Sequence, residues 1–235
     1  MKTDKRVVII TGAGRGLGKA LAVGLSRAGF AVVATGRNTK DLQELKRRLN
    51  NDSIIFKCDI TVWGDCQKLV KDMVKKYGRI DVLINNAGGK YVRTPLLEST
   101  KDDIDSVFDT QVKGTVYITK PVLDQMAKQK SGRIYTITYS PYRLGLSLLD
   151  PSKPKTLHAA SLFGKATVAD VLALEAKNYG VQSIPVFIRW VASELDIDDP
   201  VDPDSKANHP KEVVEAIRKD IVSEKDTKEI MINPH

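Results

Sequence analysis

The sequence has almost no cysteine: Cys58 and Cys66 are the only two among 235 residues. Their spacing is unlike that of a metal-ligand pair. That argues against a disulfide framework or a zinc site and fits a reducing compartment, so a cytoplasmic location is expected. Long apolar runs are also lacking. None approaches the roughly 20 residues of a membrane helix, and the opening MKTDKRVV lacks the apolar core of a signal peptide, so no membrane association is expected. Repeats, low-complexity tracts and linkers are missing as well, which leaves a single domain over residues 1–235, long enough to bury a full core. Charge of one sign does not dominate any stretch. Lys and Arg number 37 against 29 Asp and Glu, a net charge of +8, but the two signs alternate, as in RKDIVSEKDTKE. Such mixing reads as solvated helix faces rather than a nucleic-acid surface, and no nucleic-acid partner is expected. Part of the basic excess can serve a phosphorylated ligand.

What is present is concentrated at Val7–Gly18, VVIITGAGRGLG. Four apolar residues, all of them β-branched, lead into a glycine-dense turn, after which Lys19, Ala20, Leu21, Ala22 and Leu25 follow a helical pattern. An apolar run of that length reads as a buried parallel strand. A strand–glycine turn–helix unit suits a nucleotide pyrophosphate, because the unpaired N–H groups at the helix start face the phosphates and glycines let the backbone approach. A second strand, Ala31–Thr35, ends at Gly36, Arg37 and Asn38, followed by a helix through Leu42, Leu45 and Leu49. At that place a carboxylate would bind the ribose 2′-hydroxyl of NAD, and an arginine suits the 2′-phosphate of NADP. Thr35–Asn38 offers Arg37 and no carboxylate, and Arg15 lies in the glycine turn. The expected cofactor is therefore NADP(H). A third strand covers Ile54–Cys58, and a helix beginning near Thr61 runs to Tyr77 and stops at Gly78. A fourth strand, Ile80–Ile84, enters Asn85-Asn86-Ala87-Gly88. Strands alternating with crossover helices predict an α/β fold, a three-layer, doubly wound parallel sheet of the Rossmann type.

The glycines Gly12, Gly16 and Gly18 form G-x-x-x-G-x-G after Thr11, and NNAG follows the fourth strand. Together these resemble the short-chain dehydrogenase/reductase family over roughly Val7–Gly180. The resemblance implies an NADP(H)-dependent oxidoreductase acting on a carbonyl or alcohol. It assigns Gly12, Arg15, Gly16, Leu17 and Gly18 to the phosphates. Asp59, with Ile60 beside it, goes to the adenine, Asp59 being equally readable as the cap of the next helix. Asn86, Ala87 and Gly88 go to the cleft floor, and Lys165 to the nicotinamide ribose. A homodimer or homotetramer is implied, since the family associates through its fifth and sixth helices.

The catalytic positions depart from the family pattern of Asn, Ser, Tyr and Lys. In FDTQVKGTVYITKPVL, Gln111 stands at the Asn position. After the fifth strand, Tyr139 stands where Ser is expected. On the sixth helix Ser161 takes the Tyr position, and Lys165 is kept four residues on. Ser193, after the sixth strand, occupies the place of a Thr that would touch the carboxamide. One reading exchanges the roles: the Tyr139 phenol supplies the proton near Lys165, with Ser161 a neutral donor. Another makes Tyr139 a packing residue and the chain a catalytically inactive NADP(H)-binding sensor or scaffold, since Lys165 serves cofactor binding with or without catalysis. Tyr91, Tyr142 and His158 are further candidate acids. The substrate has no recognisable signature in the segment from Ser193 to Asn208.

Overall fold

The computed structural model describes residues 4–88, 94–138, 156–188, 191, 196–200 and 207–232. These contain β1 (Val7–Ile10), α1 (Gly16–Arg27), β2 (Ala31–Gly36), α2 (Thr39–Lys46), β3 (Ile54–Lys57), α3 (Trp63–Tyr77) and β4 (Val82–Asn85). The chain continues through α4 (Lys101–Phe108), α5 (Gly114–Gln129), β5 (Gly132–Thr138), α6 (Thr156–Ala176), β6 (Val181–Ile188), α7 (Pro210–Ser223) and β7 (Ile230–Ile232). The strands form a seven-stranded sheet in the order β3-β2-β1-β4-β5-β6-β7, and every pairing is parallel. The predicted α/β architecture is the one observed.

A parallel sheet hides both faces, and β1 shows how the sequence meets that demand. All four of its residues are buried. Val8 and Ile10 join Leu21 and Leu25 of α1 and Val213 and Ile217 of α7 on one face. Val7 and Ile9 join Leu69 and Met73 of α3 and Ile118 and Val122 of α5 on the other. The chain builds outward from β1 through β2 to β3 and then crosses to β4 on the other side of β1, so the helices that follow β1 and β4 lie on opposite faces of the sheet and a crevice opens at those carboxyl ends.

Local chemistry moves some boundaries from the sequence expectation. The helix expected to run through Leu49 ends at Lys46, because Asn50 turns back to donate to the carbonyls of Ser26 (2.7 Å) and Phe30 (3.0 Å). Asp59 does not cap α3, whose N-cap is Val62; its carboxylate instead accepts from the Thr61 N–H (2.9 Å) and hydroxyl (2.8 Å). The fifth helical region is split. Between α4 and α5, Asp109–Lys113 widens into a π-helical turn, a form that often marks functional sites. Beyond β6, Asp196 accepts from Arg48 (2.6 Å) and Lys19 (3.1 Å), which ties the returning chain to α1.

The segment Thr156–Tyr179 is long and apolar enough, by length and composition, to cross a membrane, against the expectation that no run would be. Within the fold it lies on β5 and β6, with Leu157, Leu162, Ala166 and Ala169 buried. Val171 and Leu174 point outward, 48% and 72% exposed.

Candidate functional site

A cleft of about 650 Å³ opens at the carboxyl ends of β1 to β4, a size usual for small-molecule sites. Four loops line it. The first supplies Gly12, Gly14, Arg15, Gly16, Leu17 and Gly18. The exit of β2 supplies Gly36, Arg37 and Asn38, joined by Asp41 from α2. The exit of β3 supplies Cys58, Asp59 and Ile60, and that of β4 supplies Asn86, Ala87 and Gly88. Thr110, in the π-turn, also lines it.

The first and fourth loops are stapled together. The Thr11 hydroxyl oxygen accepts from the N–H groups of Asn86 (3.0 Å) and Ala87 (3.1 Å). In return the Asn86 amide donates to the carbonyls of Thr11 (2.9 Å) and Gly12 (3.2 Å). Such close approach leaves no room for side chains. A Cβ on Gly18 would fall 2.2 Å from the Gly12 carbonyl oxygen. Gly12 and Gly16 have φ of +64° and +52°, the left-handed region that side chains disfavour.

The turn delivers the start of α1 to the cleft with no side-chain cap among the described residues. Arg15 is the N-cap, makes no side-chain cap, and the first turn holds no acidic residue. The first bond along this helix runs from the Lys19 N–H to the Arg15 carbonyl (3.2 Å). The N–H groups of Gly16, Leu17 and Gly18 thus have no acceptor within the helix, and with the helix dipole they form an anion-binding terminus. The basic side chains at the rim agree with that. Among the described residues Arg27, Arg48, Arg79, Arg133 and Arg218 are spent on internal ion pairs. Arg15 and Arg37 are exposed and stand in none.

Behind the cleft floor, two long side chains hold consecutive carbonyls of the fourth loop. Lys165 donates from Nζ to the Ala87 carbonyl (3.0 Å), and Gln111 donates from Nε2 to the Gly88 carbonyl (2.6 Å). Lys165 is only 1% exposed, and burial pushes its ammonium pKa down to about 7. The Gln111 Oε1 is buried and finds no partner among the described residues. Ser161, one turn before Lys165, is fully buried and donates its hydroxyl hydrogen to the His158 carbonyl (2.9 Å). At the end of β5 the Thr138 hydroxyl donates to the Leu162 carbonyl (2.9 Å), pinning that strand end beside Ser161.

The residues named from the sequence therefore fall into two groups. Gly12, Arg15, Gly16, Leu17, Gly18, Arg37, Asp59, Ile60, Asn86, Ala87 and Gly88 share the cleft. Lys165, Gln111 and Ser161 do not line it; the first two reach it through the backbone they hold. Tyr139 and Ser193, with Tyr91 and Tyr142, lie outside the described residues. Sequence reasoning missed Asp41 and Thr110. The signal for Asp41 was the Asn38 cap, whose Oδ1 accepts from the N–H groups of Lys40 (2.9 Å) and Asp41 (3.4 Å) and so orients the first turn of α2 over the cleft.

Comparison with known proteins adds a family. Residues 6–198 match the family model described as short chain dehydrogenase. An uncharacterized oxidoreductase of Staphylococcus aureus (strain USA300) is 30% identical over 217 residues, 92% of this chain and 90% of the relative. A 3-oxoacyl-(acyl-carrier-protein) reductase of Buchnera aphidicola is 34% identical over 183 residues, 77% of this chain and 71% of the relative. Among solved structures, a metagenomic short-chain oxidoreductase in complex with NADP has a TM-score of 0.82 at 21% identity, covering 98% of this chain and 97% of the other.

Proposed function

This chain belongs to the short-chain dehydrogenase family, and from that premise we propose that it binds NADP(H) as a single domain and acts as an oxidoreductase on a carbonyl or alcohol substrate through a non-standard catalytic set. The observation that carries the cofactor reading is the pair Arg15 and Arg37, in no ion pair among the described residues, at the rim of a cleft that also holds an uncapped helix terminus. These residues fit a dinucleotide with a 2′-phosphate: the amides of Gly16–Gly18 for the pyrophosphate and the two guanidinium groups for the extra phosphate. Asp59 and Ile60 would face the adenine.

The bound cofactor supplies or accepts the hydride. The protein's part is to orient the two reactants and to move one proton at the substrate oxygen. Lys165 and Gln111 fix the Ala87 and Gly88 carbonyls, which sets the floor on which the nicotinamide half would rest. Tyr139 directly follows the strand end that Thr138 pins to α6, which supports it as the proton donor near Lys165. Ser161 gives its hydroxyl hydrogen to the His158 carbonyl, so to serve as the neutral donor of the exchanged-role reading it would first have to release that bond. Ser193 is the residue proposed at the carboxamide. A second reading, a non-catalytic NADP(H)-binding sensor, draws on that same engaged Ser161 and is separated from the first by the Tyr139 variant below.

Assembly as a homodimer or homotetramer is supported by the outward Val171 and Leu174 of α6 and by Val116 of α5, 42% exposed. An apolar stripe on a charged chain favours contact with a second copy. Two free thiols fit a reducing cytoplasm.

The test is a titration of NADPH and NADH by cofactor fluorescence. Wild type is expected to bind NADPH more tightly, and Arg37→Ala to lose about 1–3 kcal/mol toward NADPH, the scale of charge-assisted contacts, with little change for NADH. Equal affinities in wild type would end the NADP(H) reading. Gly16→Val, strained at a left-handed position and filling the space of the pyrophosphate, is expected to weaken both cofactors by roughly 10–100-fold while the circular dichroism stays native. Binding that survives it would make the turn structural only.

A further inference from the structure

The cleft holds a carboxylate that the cofactor reading does not use. Asp41 lines it together with Gly14, Arg15, Arg37 and Asn38, so one acidic group stands among the two basic ones. Its placement comes from both chain neighbours and a missing side chain. Asn38 caps α2 so that Asp41 falls in the first turn. Gly14, on the facing loop, has no Cβ; one built there would lie 3.0 Å from the Asp41 Cβ and 3.7 Å from its Oδ2. The carboxylate therefore leans over the glycine turn at Gly14, the residue that precedes Arg15. Among the described residues it forms no ion pair, unlike Asp81, Asp196, Asp198 and Asp220.

We propose that Asp41 sets the cofactor specificity of this cleft by opposing the 2′-phosphate of NADP(H) and accepting a ribose hydroxyl of NAD(H). The inference rests on the dinucleotide reading of the cleft and refines it. A carboxylate accepts hydrogen bonds and cannot donate one. A ribose hydroxyl can satisfy it, whereas a phosphate presents only like charge. Arg15 and Arg37 supply the opposite preference. The cleft thus holds both determinants at once, and its preference for NADP(H) is the difference between them, smaller than two arginines alone would produce. Removing the charge tilts the balance one way only.

The experiment compares wild type with Asp41→Asn, a change that keeps side-chain shape. Dissociation constants are measured for NADPH and NADH, and for the fragments adenosine 2′,5′-bisphosphate and AMP, which need no nicotinamide site. The ratio of NADH to NADPH dissociation constants is expected to rise roughly tenfold in Asp41→Asn, about 1.4 kcal/mol, and the fragment ratio is expected to rise with it. The like-charge effect should shrink as salt is raised from 50 to 500 mM. A residue that merely stabilised α2 would weaken every ligand alike, so a ratio unchanged within twofold overturns the proposal, whether or not absolute affinities fall. Wild type that binds NADPH and NADH yet shows no such shift leaves the cofactor reading standing without Asp41's role. Wild type that binds neither overturns both.

Discussion

Tyr139→Phe is expected to slow carbonyl reduction by roughly 10²–10⁴-fold, the usual worth of a positioned acid, while NADPH affinity stays within about twofold of wild type. As hydride arrives, the carbonyl oxygen becomes an alkoxide that needs a proton. A phenol with an ordinary pKa near 10 gives one far more readily than the aliphatic hydroxyl of Ser161. The fold adds a second reason against Ser161, because its hydrogen is already given to the His158 carbonyl. Ser161→Ala is accordingly expected to cost less than about tenfold, near the scale of one hydrogen bond. The assay is NADPH consumption with a panel of ketones, aldehydes and quinones. Robust turnover that survives Tyr139→Phe would remove the phenol from the mechanism. Absence of turnover in wild type across the panel would favour the sensor reading.

Lys165→Met is expected to do two opposite things: stabilise the free protein and disable the site. The ammonium is buried and its pKa lies at about 7 against an ordinary 10.5, with desolvation as the cause. Below pH 7 both folded and unfolded chains carry the charge, and the full cost of burying it stands. Between about 7 and 10.5 only the unfolded chain is charged, so the native chain's disadvantage shrinks as pH rises. A methionine of similar shape removes that cost and gives up one hydrogen bond to the Ala87 carbonyl. Replacing buried charge by apolar packing commonly gains roughly 1–4 kcal/mol, and each kcal/mol raises Tm by about 2–4 °C in a chain of this size. Thermal unfolding should therefore show a gain at pH 6 that fades by pH 9. The same variant should lose turnover and weaken cofactor binding, since the Ala87 carbonyl is no longer held. A lower Tm at pH 6 would mean the lysine is compensated in the native chain.

These two sites differ in how readable they were. The β1–turn–α1 unit was legible because each of its parts has a local cause: VVII is buried on both faces, Gly12 and Gly16 need left-handed backbone, and Gly18 has no space for a Cβ. Asn86 was legible as a motif, though its bonds to Thr11 and Gly12 cross more than seventy residues. The helix end at Lys46 was not legible. Leu49 continues the apolar spacing, and only the bonds of Asn50 to Ser26 and Phe30 decide against it. The Asp59 cap failed for a similar reason, as the Thr61 pair captured the carboxylate. Asp41 went unremarked because its meaning depends on Gly14, a residue of another loop. The apolar text of α6 could not reveal which flank meets the sheet, and its burial pattern, with Lys165 inward and Leu174 outward, belongs to tertiary packing.

The most direct measurement is a crystal structure of the chain grown with NADPH. The pyrophosphate is expected against the amides of Gly16–Gly18, the 2′-phosphate between Arg15 and Arg37, the adenine beside Asp59 and Ile60, and the nicotinamide ribose within hydrogen-bond reach of Lys165, with the Tyr139 hydroxyl the nearest to the nicotinamide ring. A cofactor bound with its 2′-phosphate away from both arginines, or a cleft that stays empty at saturating NADPH, would contradict the account.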